Sequence, residues 1–207
     1  MDTKTFYLIR HAEPDFPGGE KICLGQKIDL PLSRAGLDHA ALLARVLQSV
    51  PLDAVYTSPM QRAKQTAAPI AGDDRPLYVI PELIELHGGE WDGVPFSLIR
   101  KRHPDQFGPG VRAACPPGGE SDEEGLARAR RALERIVQQT PRSAAIVAHG
   151  GLNRLLLCSL LSRPLSDKKK LSQGYGAVSV LTSLGGEWRV DAVALSAEEL
   201  EIRLHAT

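Results

Sequence analysis

Apolar residues fall along this chain in two alternating modes, short unbroken runs and helically spaced sets. Residues 5–10 form the first run, apolar from Phe6 to Ile9 and ended abruptly by Arg10 and His11. Unbroken runs of this length predict strands buried on both faces. Residues 53–56, 77–80 and 144–148 repeat the pattern, and the last run ends in His149. Helical spacing fills the intervals. Ser33 predicts the N-cap of a helix with Leu37, Ala40, Ala41, Ala44 and Leu47 on one face, stopped by Pro51. Ser58-Pro59 predicts a second helix with Pro59 in its first turn, continuing over residues 61–71. A short helix is expected over 95–102. Ser121-Asp122-Glu123-Glu124 is a capping-box pattern ahead of a helix to Gln139, with Arg128, Arg130, Arg131 and Arg135 read as its solvated face. Gly150-Gly151 opens an apolar helix through Leu161, in which Cys158 reads as core. Two last strands, 177–182 and 188–194, are joined by a turn at Gly185-Gly186.

Alternating strands and helices predict an α/β protein, a three-layer sandwich around a mainly parallel central sheet. Residues 12–32 read as a loop. Residues 81–120 carry clustered acids, then Pro or Gly at seven of the thirteen positions from 108 to 120. This stretch is expected to be a lid-like insertion over one end of the sheet, within one domain spanning 1–207.

Composition changes this picture little. A chain of 207 residues can bury a full core, and 43% apolar with 24% charged content is ordinary. Lys plus Arg equals Asp plus Glu, 25 each, which argues against a general nucleic-acid or membrane-surface partner. Lys168-Lys169-Lys170 reads as a solvated loop. No stretch has the pattern of a secretory signal or a bilayer span, so a cytoplasmic protein is expected. Cys23, Cys115 and Cys158 are far apart and odd in number, which suggests neither a disulfide framework nor a zinc ribbon.

The strand ends carry the chemistry. If the strands before His11 and His149 are parallel, both histidines emerge at the carboxyl edge of the sheet, where α/β proteins bind ligands. Arg10 and Arg62 would bring guanidinium forks that match phosphate oxygens to the same edge. The helix opening at Gly150 adds free N–H groups and a positive dipole end. Together these describe a pocket for a phosphoryl group. A histidine can attack phosphorus and hold it covalently. A carboxylic acid from the 81–93 loop, where Glu82, Glu85 and Glu90 lie, could protonate the leaving oxygen. A two-histidine, one-carboxylate metal site is the rival reading. It would set a dication against two guanidiniums. The arginines suit an anion, so no metal and no cofactor are expected.

These residues occur in blocks that resemble the histidine phosphatase superfamily, the group including cofactor-dependent phosphoglycerate mutase. The blocks are Arg10-His11-Ala12, Ser58-Pro59-Met60-Gln61-Arg62, Leu83-Ile84-Glu85-Leu86-His87-Gly88, Pro117-Gly118-Gly119-Glu120-Ser121 and Val147-Ala148-His149-Gly150-Gly151. The resemblance implies a phosphoglycerate mutase-like fold, with His11 as the phosphorylated nucleophile. It implies that Arg10, Arg62 and His149 hold phosphate, and it selects Glu85 as acid and base. Gly150, Gln26, Ser58 and His87 are implied substrate-binding positions. The chain departs from the pattern in three places. Ala12 replaces the usual Gly, Pro17 stands about where an Asn often contacts phosphate, and the loop over residues 25–32 is one residue longer.

The mutase branch carries a long insertion between the acid and the second histidine. Here only the 63 residues from 86 to 148 intervene. The resemblance therefore points to the phosphatase branch, similar to α-ribazole and broad-specificity phosphatases. The partner implied is a small phosphate ester, with the protein a monomer or homodimer. A mutase-type transfer and a non-catalytic phosphate-binding domain are the alternatives. His11 must be neutral to attack and Glu85 protonated to donate, so activity is expected to favour acidic to neutral pH.

Overall fold

Three of the unbroken apolar runs become the centre of a six-stranded sheet in the computed structural model, which describes residues 3–106 and 116–206, while the run at 77–80 departs from expectation as an edge strand with Leu77, Tyr78 and Val79 exposed. Strands β1 (Lys4–Arg10), β2 (Ala54–Thr57), β3 (Leu77–Val79), β4 (Ser143–Ala148), β5 (Val178–Leu184) and β6 (Glu187–Leu195) stand in the order β3-β2-β4-β1-β5-β6. The first four run parallel, and the β5–β6 hairpin is added antiparallel beside β1. Gly185 and Gly186 turn that hairpin with φ of 61° and 92°, values that disfavour any side chain.

Among the described residues the helices are α1 (Arg34–Leu47), α2 (Gln61–Ala71), α3 (Phe96–Arg102), α4 (Asp122–Gln139), α5 (Gly150–Leu160) and α6 (Ala197–His205), of which α1, α2, α4, α5 and α6 pack on the sheet. Strand alternation sorts the core into two layers. Phe6, Leu8, Tyr56 and Ile146 face Leu133 and Ile136 of α4 and Leu152 and Leu156 of α5. Tyr7, Ile9, Val55 and Val147 face Leu43 and Leu47 of α1, Ile70 of α2 and Leu200 of α6. Each fully buried side chain of this size contributes roughly 1.5–3 kcal/mol. The expected three-layer α/β sandwich is the observed one. Among the described residues no helix is long and apolar enough to cross a membrane.

Some elements differ from expectation. Helix α2 begins at Gln61, not Pro59, because its first donors are met from elsewhere. Met60 N–H donates to Ser58 Oγ (3.3 Å) and Gln61 N–H to Asp29 Oδ1 (2.7 Å). A cap supplied from 32 residues upstream leaves no local signal. Helix α6 was not anticipated, although its capping box, Ser196 with Glu199, is a readable one. Segment 81–120 contains short 3-10 turns, Pro81–Leu83, Gly89–Trp91 and Pro104–Gln106, besides α3. Of the irregular stretch expected over 108–120, residues 116–120 are irregular, and the remainder, with Cys115, lies outside the described residues.

Arg75 ties the ends of α1 and α2 together. Its guanidinium donates to the carbonyls of Ile70, Leu47, Gln48 and Val50 at 2.9–3.1 Å. Ile70, Leu47 and Gln48 stand at helix ends, where carbonyls outnumber intrahelical donors, and Leu47 O and Val50 O also accept from Val50 N–H and Leu52 N–H. Arg75→Ala is expected to cost about 2 kcal/mol and to lower Tm by about 4–8 °C in a thermal melt. Arg75→Lys should recover little, since an ammonium cannot fork across four carbonyls. An unchanged Tm in Arg75→Ala would refute this account.

Candidate active site

Parallel pairing of β1 with β4 sets the site. The register matches Ile9 with Val147 and Arg10 with Ala148, so His11 and His149 leave the sheet side by side. His11 N–H continues the ladder to Ala148 O (3.0 Å). The two imidazoles meet edge to face with centroids 5.1 Å apart. His11 Nδ1 lies 2.7 Å from Ala12 O. A carbonyl only accepts, so Nδ1 carries the proton and Nε2 keeps a free lone pair. Burial, and then Arg62 and Arg10, push the His11 pKa well below the ordinary histidine range. The ring is therefore held neutral. Ala12 fits without strain: it has no positive φ, and its N–H donates to Thr66 Oγ1 (3.0 Å). Pro17 is exposed and does not line the site, whereas Phe16 does.

The two arginines are held by backbone carbonyls. Arg62 is 1% exposed, and its Nη atoms donate to Ile28 O (3.0 Å) and Gly25 O (3.1 Å). The longer 25–32 loop thus wraps the guanidinium, and Asp29 adds a carboxylate at 3.7 Å. Arg10 donates to Gln173 O and packs its Cζ 3.9 Å from the centre of the Tyr175 ring, a cation–π contact. Burial lowers the pKa of both guanidiniums, yet arginine stays charged. His149 is fully buried, with Nε2 2.7 Å from Ser58 Oγ. Burial, then His11, Arg62 and Arg10, lower its pKa well below the ordinary value.

Among the described residues, three buried nitrogens around His11 have no hydrogen-bond partner: Arg10 Nε, Arg62 Nε and His149 Nδ1. Buried polar atoms left this way are costly, so the cluster has unspent capacity to bind an anion.

Glu85, in the loop after Leu83, lines the same cavity as His11 and is bound by the first turn of α5. Its Oε1 accepts from Leu86 N–H (2.9 Å) and Leu152 N–H (3.1 Å), and its Oε2 from Gly151 N–H (3.2 Å). Two glycines make room. A Cβ at Gly150 would sit 3.0 Å from Arg10 Nε, and one at Gly151 would sit 2.7 Å from Glu85 Oε1. Gln26 Nε2 (2.7 Å) and Arg128 Nη2 (3.3 Å) both donate to the Glu85 carbonyl.

Arg128 is not on a solvated face. It forks onto Glu120 at 2.9 and 2.7 Å and donates to the carbonyls of Glu82 and Ile84. It pins the acid-bearing loop to α4. Arg135 pairs with Glu82 at 3.0 Å, so Glu82 faces away from the histidines. Glu90 is exposed. Lys168 likewise departs from the solvated-loop reading, since it is mostly buried against Asp122. In both cases the partner lies far along the chain, so local pattern cannot show it.

Arg10, His11, Arg62, Glu85, His87 and Gly150 line one cavity of about 270 Å³. Ser58 and His149 stand behind its wall, and Gln26 reaches it only through Glu85. His87 lines the cavity with Nδ1 accepting from Gly89 N–H (3.3 Å). Sequence reasoning missed Tyr175, Gln173 and Arg128. No motif marks them, because each acts through a residue that a motif does mark.

The arrangement has counterparts among known proteins. A glucosyl-3-phosphoglycerate phosphatase of Mycobacterium tuberculosis is 31% identical over 206 residues, covering 91% of this chain and 88% of the relative. An adenosylcobalamin/alpha-ribazole phosphatase of Salmonella typhimurium is 28% identical over 166 residues, covering 78% of this chain and 81% of the relative. The solved structure of Bacillus stearothermophilus YhfR superposes with a TM-score of 0.82 at 29% identity, covering 91% of this chain and 96% of that one. Residues 6–196 match the family described as histidine phosphatase superfamily (branch 1). A family match over nearly the whole chain, around two strand-end histidines, makes this protein a member of the histidine phosphatase superfamily.

Proposed function

We propose that this protein hydrolyses small phosphate monoesters, without a metal, through a phosphohistidine at His11. The observation that carries this reading is the set of unpartnered buried donors, Arg10 Nε, Arg62 Nε and His149 Nδ1, around a neutral imidazole with a free Nε2. Three donors and one nucleophile are what a phosphoryl group needs. Ser58 O–H donating to His149 Nε2 leaves Nδ1–H free to face a phosphate oxygen, and Met60 N–H already occupies a lone pair of Ser58 Oγ.

In the first step the His11 Nε2 lone pair attacks phosphorus and the ester P–O bond breaks. Glu85 gives its proton to the departing oxygen, so the alcohol leaves neutral. Glu85 Oε2 accepts a single backbone bond and has the freer lone pair for that proton. In the second step water attacks phosphorus while Glu85 takes a water proton. The N–P bond returns its electron pair to Nε2, and inorganic phosphate leaves. The arginines balance the phosphoryl charge throughout. Gln26 and Arg128 act as positioning residues through the Glu85 carbonyl.

Hydrolysis, not transfer to a second hydroxyl, is favoured by the short span from Glu85 to His149 and by the phosphatase names of the relatives. The family match over 6–196 supports one domain for 1–207, with residues 85–88, Phe96, Pro116 and Glu120 of the 81–120 segment lining the site. The 25–32 loop keeps α-ribazole phosphate among the substrates to be tested.

His11→Ala should lower hydrolysis of p-nitrophenyl phosphate by roughly three orders of magnitude or more. Rapid quenching of the wild type should trap a phosphoryl adduct on His11, readable by peptide mass spectrometry. Equal rates in wild type and variant would defeat the mechanism. A second expectation concerns pH. His11 has a lowered folded pKa, so it stays unprotonated as pH falls through the ordinary histidine value of about 6.5. kcat/KM, corrected for ionisation of the ester, should therefore show no protonic loss near that pH. A drop with an apparent pKa in the ordinary histidine range would contradict the assignment.

A further inference from the structure

Arg154 is a cation in this cavity that the mechanism does not use. It lies on α5 four residues beyond Gly150, so the two share a helix face, with Arg154 roughly 6 Å further along the axis. Helical side chains lean toward the N-terminus, which directs Arg154 back toward the phosphoryl site. Its Nε donates to Leu171 O (2.9 Å), fixing the guanidinium plane and leaving the two Nη atoms without a partner among the described residues. The other long cations of the wall are already matched: Lys168 by Asp122, Arg62 by Asp29. Arg10 is the exception, and its free Nε belongs to the phosphoryl slot. Arg154 has no carboxylate within ion-pair distance among the described residues, although it is half-buried. Burial and then Arg10 lower its pKa, while the Glu85 carboxylate across the cavity acts the other way. Arg154 also borders an adjoining recess lined by Phe96, Arg100 and Lys169.

A partly desolvated guanidinium with a planar pair of open donors is matched by a planar pair of acceptor oxygens. We infer that Arg154 receives a substrate carboxylate, so that the preferred substrates are phosphomonoesters bearing a carboxylate a short carbon chain away from the phosphate. The inference takes the phosphoryl site from the reading above and adds a second contact one helical turn away. It sets α-ribazole phosphate, whose single anionic group is its phosphate, at a disadvantage. Glu85 and Glu120 also face the cavity, but the first is bound to the α5 N-terminus and the second is spent on Arg128. Glu85 acts on Arg154 only from beyond ion-pair distance, and neither carboxylate pairs with it among the described residues.

The test compares 3-phosphoglycerate with glycerol 3-phosphate, a pair that differs by the carboxylate, with α-ribazole phosphate as a third arm. Wild-type kcat/KM should favour 3-phosphoglycerate over glycerol 3-phosphate by about 10–100-fold, expressed in KM, which is the worth of one charged bidentate contact. Arg154→Met should bring the ratio near one, and Arg154→Lys should keep part of it. Calorimetric binding of the same pair to His11→Ala, with and without Arg154→Met, reads the contact without turnover. Selective binding there, with no wild-type hydrolysis of p-nitrophenyl phosphate, would sink the hydrolase reading and keep the carboxylate contact. The inference itself is overturned by a wild-type ratio near one or by faster turnover of α-ribazole phosphate. It is overturned equally if Arg154→Met weakens both esters alike, the mark of a merely structural role.

Discussion

The parallel pairing of β1 with β4 is the constraint on which the site depends. It places two histidines from positions 138 residues apart at one sheet edge, with ring centroids 5.1 Å apart. A slip of one residue would turn each strand's core side chains to the opposite face, because strand side chains alternate. Phe6 and Leu8 would then leave the layer under α4 and α5, and Tyr7 and Ile9 the layer under α1, α2 and α6. The hydrophobic core therefore fixes the distance between the imidazoles. Stability and site geometry are one requirement here, not two.

Two buried guanidiniums beside two imidazoles form an unfavourable cluster in the absence of an anion. The fold tolerates it by using carbonyl dipoles. Gln173 O holds Arg10, and Gly25 O and Ile28 O hold Arg62. A carbonyl orients a guanidinium without neutralising it, so the positive charge remains for a ligand. The imidazoles answer by staying neutral, their pKa values lowered by burial and by the arginines. That neutrality is what a nucleophilic histidine requires. The electrostatic cost of the cluster and the reactivity proposed for His11 have the same origin.

The proposed acid is governed from a distance. Glu85 sits in a loop with little regular structure, yet it is held at both ends, its carboxylate by the first turn of α5 and its carbonyl by Gln26 and Arg128. Arg128 in turn is set by Glu120. A loop built this way can vary in sequence between its fixed points while the carboxylate stays aimed. Substrate preference and proton transfer can then change separately, which suits a family whose members carry different phosphatase names.

The linear pattern of apolar residues determined the strands, most helices and the three-layer arrangement, since periodicity and caps are local properties. The strand-end position of His11 and His149 and the motif blocks carrying Arg10, Arg62 and Glu85 were equally legible. Tertiary structure decided what depends on residues distant along the chain. Asp29 caps α2 from 32 residues away, and Arg128, read as solvated, is turned inward by Glu120 and the 82–85 carbonyls. Gln26 and Ser58, read as ligand contacts, serve Glu85 and His149. Arg154 is one arginine among many in the sequence, and only its place one turn behind Gly150, with no ion-pair partner among the described residues, sets it apart. Hydrogen bonds and charge pairs are made in space. Residue types announce the capacity for them, and the fold alone assigns the partners.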